Sequence, residues 1–153
     1  MNTAGNAPAV VVGASLGGAR VVQGLRDMGY QGEIVLVGAE TVLPYDRPPL
    51  SKEKLHSDER PQFLLTADDV AALAIDLRLG VRATGLDVAA REVTLHTGER
   101  LPFSSLVIAT GSSPMVIDEW GTFPGVHQLR TFEDSVALRA ELTPGSRLAI
   151  IGA

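Results

Sequence analysis

The chain has 153 residues, no cysteine and a formal net charge of −5. That length suits one domain with a real core, the lack of cysteine excludes a disulfide framework, a catalytic thiol or a redox-active cysteine pair within it, and the acidic balance argues against broad electrostatic binding to nucleic acid or anionic membrane. The opening MNTAGNAP places no basic segment ahead of a long apolar run, and the run Ala9–Val12 is far too short to cross a bilayer. Neither a signal peptide nor a transmembrane helix is expected, and the default location is the cytoplasm.

In chain order, Pro8–Val12 is a short β-branched run followed by glycines, the pattern of a strand buried on both faces of a parallel sheet. Gly17–Met28 reads as a helix, with apolar residues near helical spacing and Gly29 as its stop. Glu33–Val37 is a second buried strand, completing a βαβ unit. Thr41–Ser57 holds three prolines, an aromatic and several charges, and reads as a loop leading into a short helix near Pro49. Thr66 caps a helix running to Ala74, with Asp68 and Asp69 as charges suited to its first turn. Ile75–Leu79 returns to strand. Short strands then run from Arg82 to Leu106, with a hairpin turn at Thr97–Glu99. Leu106–Ala109 is a further buried strand. A loop containing Gly121, Pro124 and Gly125 follows, then a helix over Phe132–Leu142 and a last strand over Arg147–Ile151. The fold class is α/β with a parallel sheet and an antiparallel insertion. The closing RLAIIGA resembles the opening AVVVGA, as though a second nucleotide-binding unit begins there.

Three stretches could carry chemistry. GASLGG (Gly13–Gly18) fits the G-x-G-x-x-G turn between strand and helix, with Ser15 at the middle glycine. Such a turn lets a pyrophosphate approach the backbone and meet the positive end of the helix. A glycine-rich turn in any α/β protein remains the alternative reading. The acid expected at the end of the second strand is Glu40, whose carboxylate could accept from a ribose diol; a solvated loop glutamate is the alternative. PYDRPPLSK (Pro44–Lys52) presents Arg47 and Lys52 from a stiff backbone, and on physics alone reads as a surface loop with solvated charges. LVIATG (Leu106–Gly111) ends a buried strand in small residues, where open α/β sheets bind ligands. His56, His96 and His127 are scattered without metal-ligand spacing, and neither a nucleophile elbow nor a Walker-type loop occurs.

Taken in order, GASLGG, EIVLVGAE, PYDRPPLSK, LVIATGSSP, LRTFEDSVALRAEL and RLAIIGA resemble the FAD-dependent NAD(P)H:ferredoxin reductases of oxygenase systems, which share the pyridine nucleotide-disulfide oxidoreductase fold. The resemblance covers nearly the whole chain, and PYDRPPLSK is its most specific part. It implies a Rossmann-like FAD-binding domain over 1–146 and, over 147–153, the first strand of an NAD(P)-binding domain that stops there. It implies that Gly13, Ser15, Leu16, Gly17 and Gly18 line the FAD pyrophosphate, and that Glu40 or its neighbour Ala39 meets the adenosine ribose. By the same resemblance Arg47 and Pro48 contact the cofactor, Lys52 lies near the flavin and tunes it, and Ala83 makes a backbone contact to adenine. Ala109, Thr110 and Gly111 pass beside FAD, and Arg130 makes a further contact near the flavin. The implied reaction carries electrons from NADH or NADPH through FAD to a ferredoxin- or rubredoxin-type iron–sulfur protein, with no redox-active disulfide. As the N-terminal part of such an enzyme, the chain is expected to hold FAD weakly, to be marginally stable and to show no turnover alone. The alternatives are the FAD segment of a nitrite reductase or coenzyme A-linked oxidoreductase, or a nucleotide-binding module without catalysis.

Overall fold

A computed structural model describes residues 7–57, 59–117, 119–120 and 123–152. The opening MNTAGN, Gly121 of the expected loop and Ala153 of the closing RLAIIGA lie outside the described residues. The elements are β1 (Ala9–Val12), α1 (Leu16–Asp27), β2 (Ile34–Val37), two short 3-10 turns (Pro48–Ser51 and Glu53–Leu55), α2 (Ala67–Ala72), β3 (Ile75–Arg78), β4 (Ala83–Asp87), β5 (Glu92–Leu95), β6 (Arg100–Pro102), β7 (Ser105–Ile108) and α3 (Phe132–Glu141). They fall into two compact units. One runs through Asp46 and resumes over Gln62–Gly111; the other combines Arg47–Pro61 with the chain from Ser112 onward.

The first unit is built on a parallel sheet in the order β3-β2-β1-β7. β1 lies at its centre, with Val10 opposite Val35 on one side and Leu106 on the other. Because successive side chains alternate between faces, the apolar runs divide cleanly. Val10, Val12, Val35 and Val37 pack against Val93, Leu95, Leu101 and Phe103, which come from or follow the antiparallel sheet β4-β5-β6. Val11, Ile34 and Leu36 face the other way, against Ala19 and Val22 of α1 and against Leu65 and Ile75. Every residue of β1 and β2 is buried, which explains why these strands carry unbroken apolar sequence. β7 differs: it pairs with β1 alone among the described strands, and Ile108 is 64% exposed.

Local signals set the ends of the elements. Thr66 and Asp69 form a reciprocal capping box at α2, with Asp69 Oδ2 accepting from the Thr66 N–H at 2.8 Å. The bonds from Thr66 hold the Asp69 carboxyl below its ordinary pKa. The expected hairpin at Thr97–Glu99 joins β5 to β6. Gly98 adopts φ +87° there, and the Leu95 N–H donates to the Glu99 carbonyl at 2.9 Å. Arg26, in the last turn of α1, donates to the carbonyls of Leu73, Ala74, Tyr30 and Gly32 at 2.7–3.1 Å. One guanidinium thus ties together the ends of α1 and α2.

In the second unit, the expected short helix near Pro49 is instead two 3-10 turns broken at Lys52. Pro49 disfavours α backbone at the residue before it, and the chain closes i→i−3 bonds such as Leu50 N–H to Arg47 O at 2.9 Å. The strand expected over Arg147–Ile151 does not form: residues 147–152 join no ladder among the described residues, and Ile150 is 79% exposed. Its β-branched content suits a strand, but a strand exists only where a neighbour takes its hydrogen bonds. No described helix is long and apolar enough to cross a membrane.

Candidate functional site

The chain steps from β1 to β2 to β3 on one side of the sheet, and β7 then lands on the other side of β1. The carboxyl end of β1 is therefore a topological switch point, the place where open α/β sheets leave a crevice for ligands. GASLGG occupies that end. Gly13 adopts φ +116°, and a Cβ on it would collide with the Ala109 carbonyl; no side chain fits. A Cβ on Gly18 would overlap the Gly13 carbonyl and come within 3.1 Å of Leu36 Cδ1, so this glycine lets α1 lie on the sheet. Ser15 is the N-cap of α1 in extended backbone, and its side chain does not cap the helix. The first turn of α1, Leu16–Gly18, contains no acidic residue, and helix geometry gives its N–H groups no intrahelical acceptor.

Gly17 behaves differently. It is exposed, and a Cβ there would meet only the Ala109 side chain, at an ordinary 3.5 Å. Packing within the protein does not require glycine at this position, whereas a ligand approaching the backbone would. This is the feature that fits a pyrophosphate.

The other candidate residues of this unit gather at the same end of the sheet. Ala109 follows β7 and donates its N–H to the Val12 carbonyl at 2.7 Å, beside the glycine turn. Thr110 and Gly111 continue outward and are exposed. Gly38, Ala39 and Glu40 follow β2; Ala39 is exposed and Glu40 half-buried. The Gly80 N–H donates to the Glu40 carbonyl and the Val81 N–H to the Gly38 carbonyl, both at 2.8 Å. These bonds bring the start of β4, with Ala83, close to the end of β2. The Glu40 carboxylate accepts from the Tyr45 hydroxyl at 2.6 Å, a contact that the sequence pattern does not announce.

The second unit groups the remaining candidates. The Arg47 guanidinium donates to the Arg130 carbonyl at 2.6 Å across 83 residues of sequence. Arg47, Pro48, Leu50, Ser51, Leu129 and Arg130 line a shared pocket. Lys52 stands exposed between the two 3-10 turns and does not line it.

The pocket is held from behind by α3. Thr131 and Asp134 form a capping box, and Asp134 Oδ2 also accepts from the Arg130 N–H at 2.9 Å. Ser135, 1% exposed, donates to the Leu50 carbonyl at 3.0 Å. Arg139, one turn further, donates to the carbonyls of Lys54 and Ser57. Sequence reading misses Ser135 and Arg139. Their i, i+4 spacing on one helix face is the available signal, but it does not say what the face meets. Among the described residues no cluster of three or more His, Asp or Glu could hold a metal.

Comparison with known proteins agrees with this geometry. Residues 7–153 match the family described as pyridine nucleotide-disulphide oxidoreductase. The chain is 44% identical over 147 residues to the ferredoxin–NAD(+) reductase component of the p-cumate 2,3-dioxygenase system of Pseudomonas putida, covering 94% of this chain and 36% of that protein. Among solved structures, it is similar to the covalent putidaredoxin reductase–putidaredoxin complex, with 35% identity and TM-score 0.81 over 89% of this chain and 34% of that one. It is also similar to the ferredoxin reductase for the CYP199A2 system from Rhodopseudomonas palustris, with 33% identity and TM-score 0.82 over 88% and 34%. The chain thus spans about a third of the length of these relatives.

Proposed function

Because the chain belongs to the pyridine nucleotide-disulphide oxidoreductase family, we propose that it supplies FAD-binding contacts of a flavoprotein that carries electrons from NAD(P)H to a ferredoxin- or rubredoxin-type iron–sulfur protein. The observation that carries the reading is the glycine turn at the switch point, where Gly13 and Gly18 are demanded by packing and Gly17 is left open to a ligand. The names of the relatives, a ferredoxin–NAD(+) reductase component and a reductase bound to putidaredoxin, support the choice of electron acceptor. When bound, FAD accepts a hydride equivalent and passes electrons on singly; the protein binds and orients it.

In this proposal Gly13, Ser15, Leu16, Gly17 and Gly18 meet the pyrophosphate at the start of α1. Glu40, or the backbone of Ala39, receives the adenosine ribose. Ala83 offers its backbone to adenine, and Ala109, Thr110 and Gly111 border the cofactor from the end of β7. By the family resemblance, Arg47, Pro48 and Arg130 are further cofactor contacts. Lys52 is the candidate for flavin tuning, because a cation near the ring favours added electrons. Assignment of 1–146 to FAD binding and 147–153 to the start of an NAD(P)-binding domain belongs to the same proposal, as does a cytoplasmic location.

The test is a titration of the purified chain with FAD, followed by quenching of flavin fluorescence and by the flavin spectrum retained after desalting. Saturable quenching that Glu40→Ala and Arg47→Ala each weaken is the expected result. A chain that leaves flavin fluorescence unchanged would overturn the proposal.

A further inference from the structure

Tyr45 has no place in the assignment above, yet it is 3% exposed and aims its hydroxyl at Glu40 Oε2 from 2.6 Å. That distance is typical of an O–H donor on an ionised carboxylate. Both partners sit on fixed backbone. Tyr45 pairs with Phe63 in an antiparallel bridge, flanked by bonds from the Leu64 N–H to the Pro44 carbonyl at 2.7 Å and from the Asp46 N–H to the Gln62 carbonyl at 3.0 Å. Glu40 is anchored through its own carbonyl by the Gly80 N–H. The carboxylate is therefore held at its backbone root and at its tip. A ribose presents two vicinal hydroxyl donors, and an acceptor whose plane is already set receives both without a further ordering cost. A carboxylate has about four acceptor directions, so a bond from a phenol is compatible with a diol.

We infer that Tyr45 is a positioning residue: its hydroxyl fixes the Glu40 carboxylate in the orientation that receives a ribose 2′,3′-diol, and so sets selectivity for an intact ribose. The inference rests on the ribose role proposed for Glu40. Removing the hydroxyl keeps the buried ring but takes this hold off the carboxylate, which forfeits part of the prepaid ordering that makes a binding group effective.

The test titrates the 153-residue chain with FAD, 5′-ADP and 2′-deoxy-5′-ADP, in wild type, Tyr45→Phe, Glu40→Ala and the double variant. Wild type is expected to hold 5′-ADP about tenfold more tightly than the deoxy analogue, the value of one hydrogen bond to a charged acceptor. Tyr45→Phe is expected to reduce that ratio to about twofold or less while leaving deoxy binding nearly unchanged. Glu40→Ala should abolish the ratio, and adding Tyr45→Phe to it should change nothing further, because the two residues act as one unit. A wild-type ratio in Tyr45→Phe, beside a lost ratio in Glu40→Ala, overturns the inference and leaves the ribose role of Glu40 standing. A preserved ratio in Glu40→Ala, or no discrimination by wild type, removes the ribose role and the inference with it. If Tyr45→Phe melts below the assay temperature, Glu40→Asp replaces it. The shorter side chain draws the carboxylate away from the hydroxyl, and an undiminished ratio there overturns the inference equally.

Discussion

Three glycines on one helix provide a test of how the site is built, because the structure assigns each a different outcome on conversion to alanine. Gly24, mid-helix in α1, would place a Cβ in open space. Alanine should gain its full helix preference there, about 1 kcal/mol, which raises the melting temperature by about 2–4 °C in a chain of this size. Gly18 receives the same intrinsic gain, but its Cβ would overlap the Gly13 carbonyl and lie 3.1 Å from both the Gly13 carbonyl carbon and Leu36 Cδ1. The obstacle is backbone, which cannot swing aside like a side-chain tip, so α1 must move off the sheet. Overpacking of this kind costs about 1–3 kcal/mol and sometimes more. With no side chain able to yield, the upper end applies, and the net loss is about 2 kcal/mol. Gly17→Ala, whose Cβ would make only the ordinary 3.5 Å contact to Ala109, should raise stability by up to the same helix preference while lowering FAD affinity. Urea unfolding followed by far-UV circular dichroism orders the stabilities, and flavin fluorescence reads the affinity. A Gly18→Ala chain as stable as wild type would refute the packing account. A Gly17→Ala chain that binds FAD normally would refute the ligand account.

Arg26→Ala should cost about 2–3 kcal/mol, because charged donors to four carbonyls are lost at the ends of α1 and α2; amide exchange should show Leu73 and Ala74 losing protection, while Arg26→Lys recovers only part of the loss. Thr131→Ala removes the cap of α3 and should cost about 1 kcal/mol. Because α3 backs Arg130, reduced FAD retention should accompany that change in the melting curve. Asp69 carries a carboxyl whose pKa is lowered by its bonds to Thr66. A lowered folded pKa makes its contribution complete above the ordinary carboxylate value and lost as pH falls through the folded one. The amide signals of α2 should therefore broaden on acidification in wild type, and a Thr66→Ala chain, which loses the hydroxyl but keeps the residue-66 N–H donor to Asp69, should show a weaker step at higher pH.

Much of the sheet is legible in sequence because its cause is local. AVVV and IVLV must be apolar throughout once both faces of β1 and β2 are covered. The capping boxes and the Gly98 turn are equally local. Pairings between distant segments are not. Nothing in the composition of Arg147–Ile151 reveals that no described strand accepts its hydrogen bonds, and the pattern of LVIATG does not say that β7 adds beside β1. The two 3-10 turns at Pro48–Leu55 are legible as helical in kind, but the composition of PYDRPPLSK does not say that the chain closes i→i−3 bonds and breaks at Lys52. The site divides the same way. The glycine turn can be read from spacing, whereas Tyr45 on Glu40, and Ser135 and Arg139 on the carbonyls of the Pro48–Ser57 segment, depend on a fold that joins residues up to 85 apart.

Ser15, the one departure from the G-x-G-x-x-G pattern, shows what the individual positions are for. Gly13 is required by a positive φ and a carbonyl in the way, and Gly18 by helix-to-sheet contact. Ser15 has φ −129° and ψ −158°, extended backbone that any residue adopts. Its replacement of glycine therefore bears on how near a ligand comes and not on whether the turn forms. At an N-cap, serine and glycine differ by only a few tenths of a kcal/mol, so Ser15→Gly should leave the far-UV spectrum unchanged. Its effect on FAD affinity then reports directly on the pyrophosphate. Tighter binding means that the side chain limits approach, and weaker binding means that the hydroxyl is a ligand contact. An affinity that does not move would place the phosphates away from this turn, and the first turn of α1 would lose its proposed role.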